Sequence, residues 1–506
     1  MTSMPRTLAA GVLVAVAATA FFACGEGKPD RPVAGGPAAV PAAGPAASDT
    51  GATALATWKG FFRPRENRIP HELATNPGTP WGDYVGSKAC KECHPKDYAG
   101  WRDSFHSRTL YDTHPKTVMG DFSGATGTFD DPQYPSSVRP FVKDGRFYME
   151  ISRKRLGIPH TMESPLVEEG VFEVIYAFGN RRHQPYVGRS TDGKYWVMPI
   201  YWDDVKRAFS WDGWRPYTSN CANCHVTGIK TGEKPSYSEQ PPIGMTNPPR
   251  YLPPPDREGW AEGAVGCEVC HGPGRNHVAK AKEMGADGYR AYLAGGGEPT
   301  IYDPGKDTPT RRAQQCSTCH TFFAESQVTF VPGPKGYPHE PLAIVPKKGE
   351  IGRYYENGTE MTICSIQRVL EHSKMGKAGV ECRDCHDPHG NAHWAELTLS
   401  ADDNSLCLKC HQANESGAFK DAVAVAKHAR HKPDGPGVLC VECHMPRDKR
   451  FSEGILVMST ELHSHEMTTP TGYESERGGP PSACNMCHKD RDALWTRKTL
   501  EAWHRK

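Results

Sequence analysis

A chain of 506 residues with 60 basic and 59 acidic side chains has a formal net charge of +1, which excludes a basic nucleic-acid surface and an acidic tail. Leu, Ile, Val and Phe together number only 79, below the roughly one-fifth share expected of an ordinary globular core. With so little net charge, disorder does not follow, so other apolar material must fill the interior.

Residues 1–24, MTSMPRTLAAGVLVAVAATAFFAC, place Arg6 ahead of an apolar run from Leu8 to Ala23. That run is short for a bilayer span and has the layout of a signal peptide. Cys24 directly follows Phe-Phe-Ala, where a lipoprotein carries its acylated cysteine, although Phe21 stands where such sites usually have leucine. Ordinary cleavage near Ala-Thr-Ala is the alternative. Either reading exports the chain to the periplasmic side, the outer membrane or the extracellular face. Lipidation of Cys24 would add a membrane anchor. Residues 25–80, which open with an Ala-, Gly- and Pro-rich stretch, read as a flexible tether.

From Trp81 onward the cysteines set the pattern. CKECH begins at Cys90, CANCH at Cys221, CEVCH at Cys267, CSTCH at Cys316, CRDCH at Cys382, CLKCH at Cys407, CVECH at Cys440 and CNMCH at Cys484. Of the 18 cysteines, only Cys24 and Cys364 fall outside these eight frames. Zinc sites and redox disulfides also use Cys-x-x-Cys pairs, but neither needs a histidine directly after the second cysteine. The order Cys-x-x-Cys-His is that of covalent c-type haem attachment. Two thiols add to the two porphyrin vinyl groups, and the adjacent histidine reaches the iron from one face. The predicted cofactor is eight haem c groups with their iron, which would supply the missing apolar bulk. The attachment residues are Cys90, Cys93 and His94; Cys221, Cys224 and His225; Cys267, Cys270 and His271; Cys316, Cys319 and His320; Cys382, Cys385 and His386; Cys407, Cys410 and His411; Cys440, Cys443 and His444; and Cys484, Cys487 and His488. The eight histidines are the proximal ligands. Cys364 reads as a small apolar residue with no assigned role.

The long gap after the first motif contains VKDGRFYMEIS, VFEVIYAF and STDGKYWVMPIYW, alternating runs with Asp-Gly turns. They predict a small β-rich insertion at about 130–205 within a first-haem region spanning 81–215. Residues 216–506 read as a heptahaem region of short helical pieces and Pro/Gly loops, including a paired-motif module at about 378–415. DALWTRKTLEAWHR is its clearest amphipathic helix. The expected fold is mostly α with large irregular content, organised around a haem chain. The motifs repeat without a fixed period, which excludes a solenoid.

Of the 23 histidines, 15 lie outside the motifs, against eight needed to fill every sixth iron position. An iron held by two histidines is suited to passing electrons, whereas an open one can bind a small molecule. His277 lies six residues after His271, and His389 three after His386. So short a segment cannot pass round the porphyrin to its other face, so each of these, as a ligand, must cap a different haem. The distal candidates are His106, His277, His372, His389, His431 and His465. His114, His183, His339, His428 and His463 rank below them, and His71, His160, His393 and His504 read as structural or solvated.

VGSKACKECHPKDYAGWRDSFHSRTL resembles the opening of the cytochrome c-554-like multihaem proteins, and CEVCHGPGRNHV and VLCVECHMP recur in that group. GVECRDCHDPHGNAHWAELTLSADDNSLCLKCH looks like a paired C-x-x-C-H module. The similarity covers roughly residues 84–495. It implies distal ligands at His106, His277, His389, His431 and His465. Its wider superfamily includes pentahaem nitrite reductase, hydroxylamine oxidoreductase and octahaem tetrathionate reductase. That kinship implies stacked and near-perpendicular haem pairs in a mostly helical fold. The chain departs from the enzymes in having no C-x-x-C-K motif, and none of its 19 tyrosines can be singled out as a haem cross-link.

Three functions follow as expectations. The first is an exported octahaem electron carrier working between redox partner proteins, with no catalytic residue. The second is an octahaem oxidoreductase with one five-coordinate iron acting on nitrite, hydroxylamine or tetrathionate. The third is a structural subunit of a haem filament or of a larger respiratory complex.

Overall fold

The computed structural model describes residues 77–504 apart from 125–127, 131–135, 154–168, 180–182, 190–194, 205, 212–214, 218–220, 230–258, 321–331, 334–365, 391, 413–418, 447–462, 475–477 and 481. The signal, most of the tether, Cys24, His71, His160, His339 and Cys364 lie outside the described residues.

The strands are Tyr111–Asp112 (β1), Phe129–Asp130 (β2), Ser136–Lys143 (β3), Arg146–Arg153 (β4), Gly170–Ala177 (β5), His183–Gln184 (β6), Tyr186–Arg189 (β7), Tyr195–Val197 (β8), Ile200–Asp203 (β9), Ala208–Trp211 (β10), Arg215–Pro216 (β11), Thr227–Ile229 (β12) and Trp260–Glu262 (β13). An antiparallel sheet has the order β11-β8-β7-β5-β4-β3-β2, with β1 added against β5. Two smaller sheets are β10-β9-β6 and β12-β13. β3 and β4 pair without a break from Ser136↔Arg153 to Lys143↔Arg146. Their two-residue turn uses Asp144 and Gly145 at φ 50° and 75°, the left-handed pair that matches the right-handed twist of a hairpin. Strand structure therefore begins at Tyr111 and its last strand ends at Glu262, beyond the 130–205 segment marked by alternation. The added strands are mostly two to four residues long, too short to show a period of two.

Alternate residues of the hairpin face inward. Val138, Met149 and Ile151 are buried with Phe172, Val174, Met198, Ile200 and Trp202, while Arg139 and Glu150 pair on the outer face at 2.5 Å. Phe122 takes Phe147, Tyr186 and Phe209 edge-on at 5.2, 5.2 and 5.6 Å, the geometry favoured by ring quadrupoles. The buried Gln184 amide is fully used. Its nitrogen donates to Tyr111 Oη and the Thr117 carbonyl, and its oxygen accepts from Met119 N and Tyr186 Oη. A second cluster of Leu110, Phe178, Val187, Val197, Tyr217, Ala222 and Trp260 carries the sheet onto the second cysteine motif.

The remainder is short helices and loops. Several helices are little more than a motif, such as Cys267–His271, Ser405–His411 and Cys440–His444. Pro309–His320 and Ala493–His504 are longer, the latter where amphipathic spacing placed one. Among the described residues no helix is long and apolar enough to cross a membrane.

Candidate cofactor site

Polar contacts in and beside the motifs fix several of them to one another. The Glu268 side chain, inside the third motif, is 1% exposed. Its carboxylate accepts from the backbone N–H groups of Val85, Gly86 and Gly274 at 2.7–3.1 Å. Ser87 Oγ donates to Glu262 at 2.7 Å and accepts from Cys267 N at 2.9 Å. These bonds join the approach to the first motif to the start of the third. There the Cys90 and Cys267 thiols hydrogen-bond to each other, which holds Cys90 well above the usual thiol range and lowers Cys267.

The same device recurs along the chain. Asn404, left-handed at φ 65° ahead of the sixth motif, donates to the Val438 carbonyl at 3.0 Å and accepts from Cys440 N at 2.7 Å. The Cys407 and Cys440 thiols meet beside it. Burial, followed by the nearby Cys484, pushes the Cys443 thiol up to about 12. Attachment cysteines of different motifs thus lie side by side.

The histidines are brought together in the same way. Ring centres of His94 and His277 are 6.3 Å apart, His106 and His320 6.4 Å, and His271 and His389 6.0 Å. His386 and His465 are 6.4 Å apart, His428 and His444 6.2 Å, and His431 and His488 6.3 Å. Each pair joins one motif histidine to one non-motif histidine. An imidazole nitrogen binds a metal at roughly 2 Å and lies about 1.1 Å from its ring centre, so two imidazoles opposite each other on one iron have centres about 6.2 Å apart. The donor sets fit a haem iron between each pair.

Ring nitrogens are oriented for the same task. Nδ1 of His225, His271, His386 and His444 lies 2.8–3.2 Å from the carbonyls of Thr109, Tyr302, Ala395 and Thr468. Nδ1–H donation to a carbonyl leaves the Nε2 lone pair available for metal. His431 and His465 do likewise with Ala429 and His463. Burial, with His386 next, pushes His465 down to about 4. A depressed pKa favours the neutral imidazole, the form that ligates.

Of the six distal candidates, His106, His277, His389, His431 and His465 stand in pairs. His372 lies exposed at the end of helix Ile366–His372. Among the described residues no such pair is formed by His372, His225 or His411. His428, ranked lower from sequence, faces His444. Helix Ala422–Ala429 ends with Arg430 in the left-handed region at φ 53°, which sends His428 and His431 to different partners. The recurrence of two histidines three apart was the available signal. His114 accepts from Lys116 N, and His183 lies 3.7 Å from Asp203.

Sequence reasoning missed two carboxylates. Asp97 lies 3.9 Å from His94 Nδ1 and 3.7 Å from His389 Nδ1. Glu396 accepts from Phe105 N at 2.8 Å and lies 3.6 Å from His106 Nδ1. Ala395 and Glu396 both adopt positive φ, 57° and 54°, a costly conformation for residues with a β-carbon. It aims one carbonyl at His386 and one carboxylate at His106.

Known proteins give the same picture. The family described as cytochrome c554 and c-prime matches residues 89–126, and that described as the doubled CXXCH motif matches 372–416. No curated protein sequence matches the chain. The crystal structure of the outer cell wall cytochrome OcwA superposes with a TM-score of 0.50 at 18% identity, covering 83% of this chain and 87% of that one. At that identity the likeness speaks for the fold alone. Motifs, family matches and fold all support a multihaem c-type cytochrome, and the Cys-x-x-Cys-His motifs indicate covalently bound haem c.

Proposed function

We propose that this protein is an exported octahaem cytochrome that carries electrons along a chain of mostly bis-histidine haems. The supporting observation is the set of six histidine pairs with ring centres 6.0–6.4 Å apart. In this reading His277, His389, His106, His465, His428 and His431 are the distal ligands for the haems attached at motifs 1, 3, 4, 5, 7 and 8. The haem supplies an iron that cycles between ferric and ferrous states. The chain's own residues supply both axial nitrogens and hold neighbouring attachment cysteines together.

Export rests on the signal-like first 24 residues. The structural neighbour is by its own description an outer cell wall protein, which agrees with this placement. Cys24 would hold the mature chain at a membrane through lipid, with redox proteins as donor and acceptor.

Intact-mass measurement of the mature protein should show eight haems, and low-temperature EPR of the ferric form should be dominated by low-spin signals. A mass corresponding to fewer haems, or a mainly high-spin spectrum, overturns the reading. His225 and His411 favour one alternative, because no facing histidine is present for either among the described residues. If one of these irons is open, a high-spin signal should shift on adding nitrite or hydroxylamine, and the protein would then be an oxidoreductase.

A glycine gives a sharper check. A β-carbon at Gly100 would stand 1.7 Å from the His389 carbonyl oxygen, a distance no packing adjustment of side chains can absorb. Gly100→Ala should displace His389 from His271 and convert one low-spin haem to high spin, read by EPR against wild type. An unchanged spectrum would show that His389 is not a ligand.

A further inference from the structure

We propose that the fourth attachment motif is a three-way junction, where the haems of motifs 2, 3 and 5 all meet the haem of motif 4. The inference rests on the multihaem reading above and adds its connectivity.

Helix Pro309–His320 carries Cys316, Cys319 and His320, and three separate contacts converge on it. Gln315 Nε2 donates to the carbonyl of Cys270 at 2.6 Å, tying motif 3 to the helix. Arg312 grips Glu381, the residue before Cys382, with Nε at 2.8 and 3.1 Å and Nη2 at 2.7 Å. Both side chains are mostly buried, at 19% and 13% exposure. A guanidinium held by several bonds to one carboxylate fixes orientation as well as distance, so motif 5 is set firmly against motif 4. On a third side, helix Ala222–His225 packs against the same helix.

The sulfurs follow these backbone contacts. Cys316 lies beside Cys382 of motif 5, and Cys319 beside Cys224 of motif 2. Cys270 of motif 3 lies near both Cys316 and Cys319. A c-type haem is bonded to the chain through these sulfurs. Cysteines in contact therefore hold the attached porphyrin edges beside one another. A linear chain needs two neighbours at each inner position, and motif 4 has three.

Motif order along the sequence is consequently not the order in space. Motif 1 meets motif 3 through Cys90 and Cys267, and motif 3 leads to motif 4. From motif 4 one arm continues through motifs 5, 6, 7 and 8, and another opens to motif 2 beneath the sheet, where Phe178 lies edge-on to His225 at 5.3 Å. Electrons reaching motif 4 then have two ways out, and the protein can serve a third partner besides those at its two ends.

A density map of the wild-type holoprotein tests this directly. The motif-4 porphyrin should make edge contact with three others; contact with only two overturns the junction. A count below eight haems by mass would overturn the octahaem reading instead, so the two failures are distinguishable. EPR supplies a second test. Cys316→Ser with Cys319→Ser, which removes the motif-4 haem, should perturb the signals of three neighbours through lost magnetic coupling. The matching double variant at Cys484 and Cys487 should perturb fewer. Equal effects overturn the proposal, and the wild-type map decides if either variant fails to fold.

Discussion

Glu268→Ala is expected to destabilise the folded protein by roughly 3–9 kcal/mol, because each buried N–H left without an acceptor costs about 1–3 kcal/mol. Three such groups, on Val85, Gly86 and Gly274, depend on this one carboxylate. The alanine also leaves a buried space where the carboxylate stood. Denaturant unfolding of the holoprotein measures the loss. Glu268→Gln is the control, since the amide keeps one acceptor oxygen but points an N–H₂ at backbone donors. It should fall between alanine and wild type. If alanine costs less than about 1 kcal/mol, on the scale of one exposed hydrogen bond, Glu268 is not what holds the first motif against the third.

His389→Ala is expected to remove the sixth ligand from the iron attached through Cys267 and Cys270. His389 is 46% exposed at its side chain, so truncation leaves little unsatisfied and the fold should survive. The ferric EPR spectrum should lose one low-spin component and gain one high-spin component, and a small ligand such as imidazole should restore the first. His372→Ala should leave the spectrum untouched, because no histidine pairs with His372 among the described residues. A spectrum altered by the second substitution and not by the first would reverse the ligand assignment.

The attachment motifs were legible because they are local: five residues carry both sulfurs and a nitrogen. Part of the pairing was legible too. The shortness of the segments after His271 and His386 required His277 and His389 to face other motifs, and His277 faces His94 while His389 faces His271. The identity of each partner was not legible, since it depends on how distant segments pack. The Val85–Glu268 bond spans 183 residues and the Phe105–Glu396 bond 291. His428 was obscured by an alanine-rich helix that reads as ordinary packing. Long alternating strands such as β3, β4 and β5 announced the sheet, but β1, β6 and β11, at two residues each, acquire their place only from neighbours.

The direction of the histidine pairings along the chain bears on how the protein matures. His94, His271 and His386 are each matched by a histidine that is synthesised later, whereas His320, His444 and His488 are matched by an earlier one. A polypeptide emerging from its N-terminus can therefore receive porphyrin at the first motifs long before those irons have their second nitrogen. Locking of the early sites must wait for the late segments to arrive, so a chain truncated before His465 should leave His386 without its counterpart even with every upstream thioether bond in place.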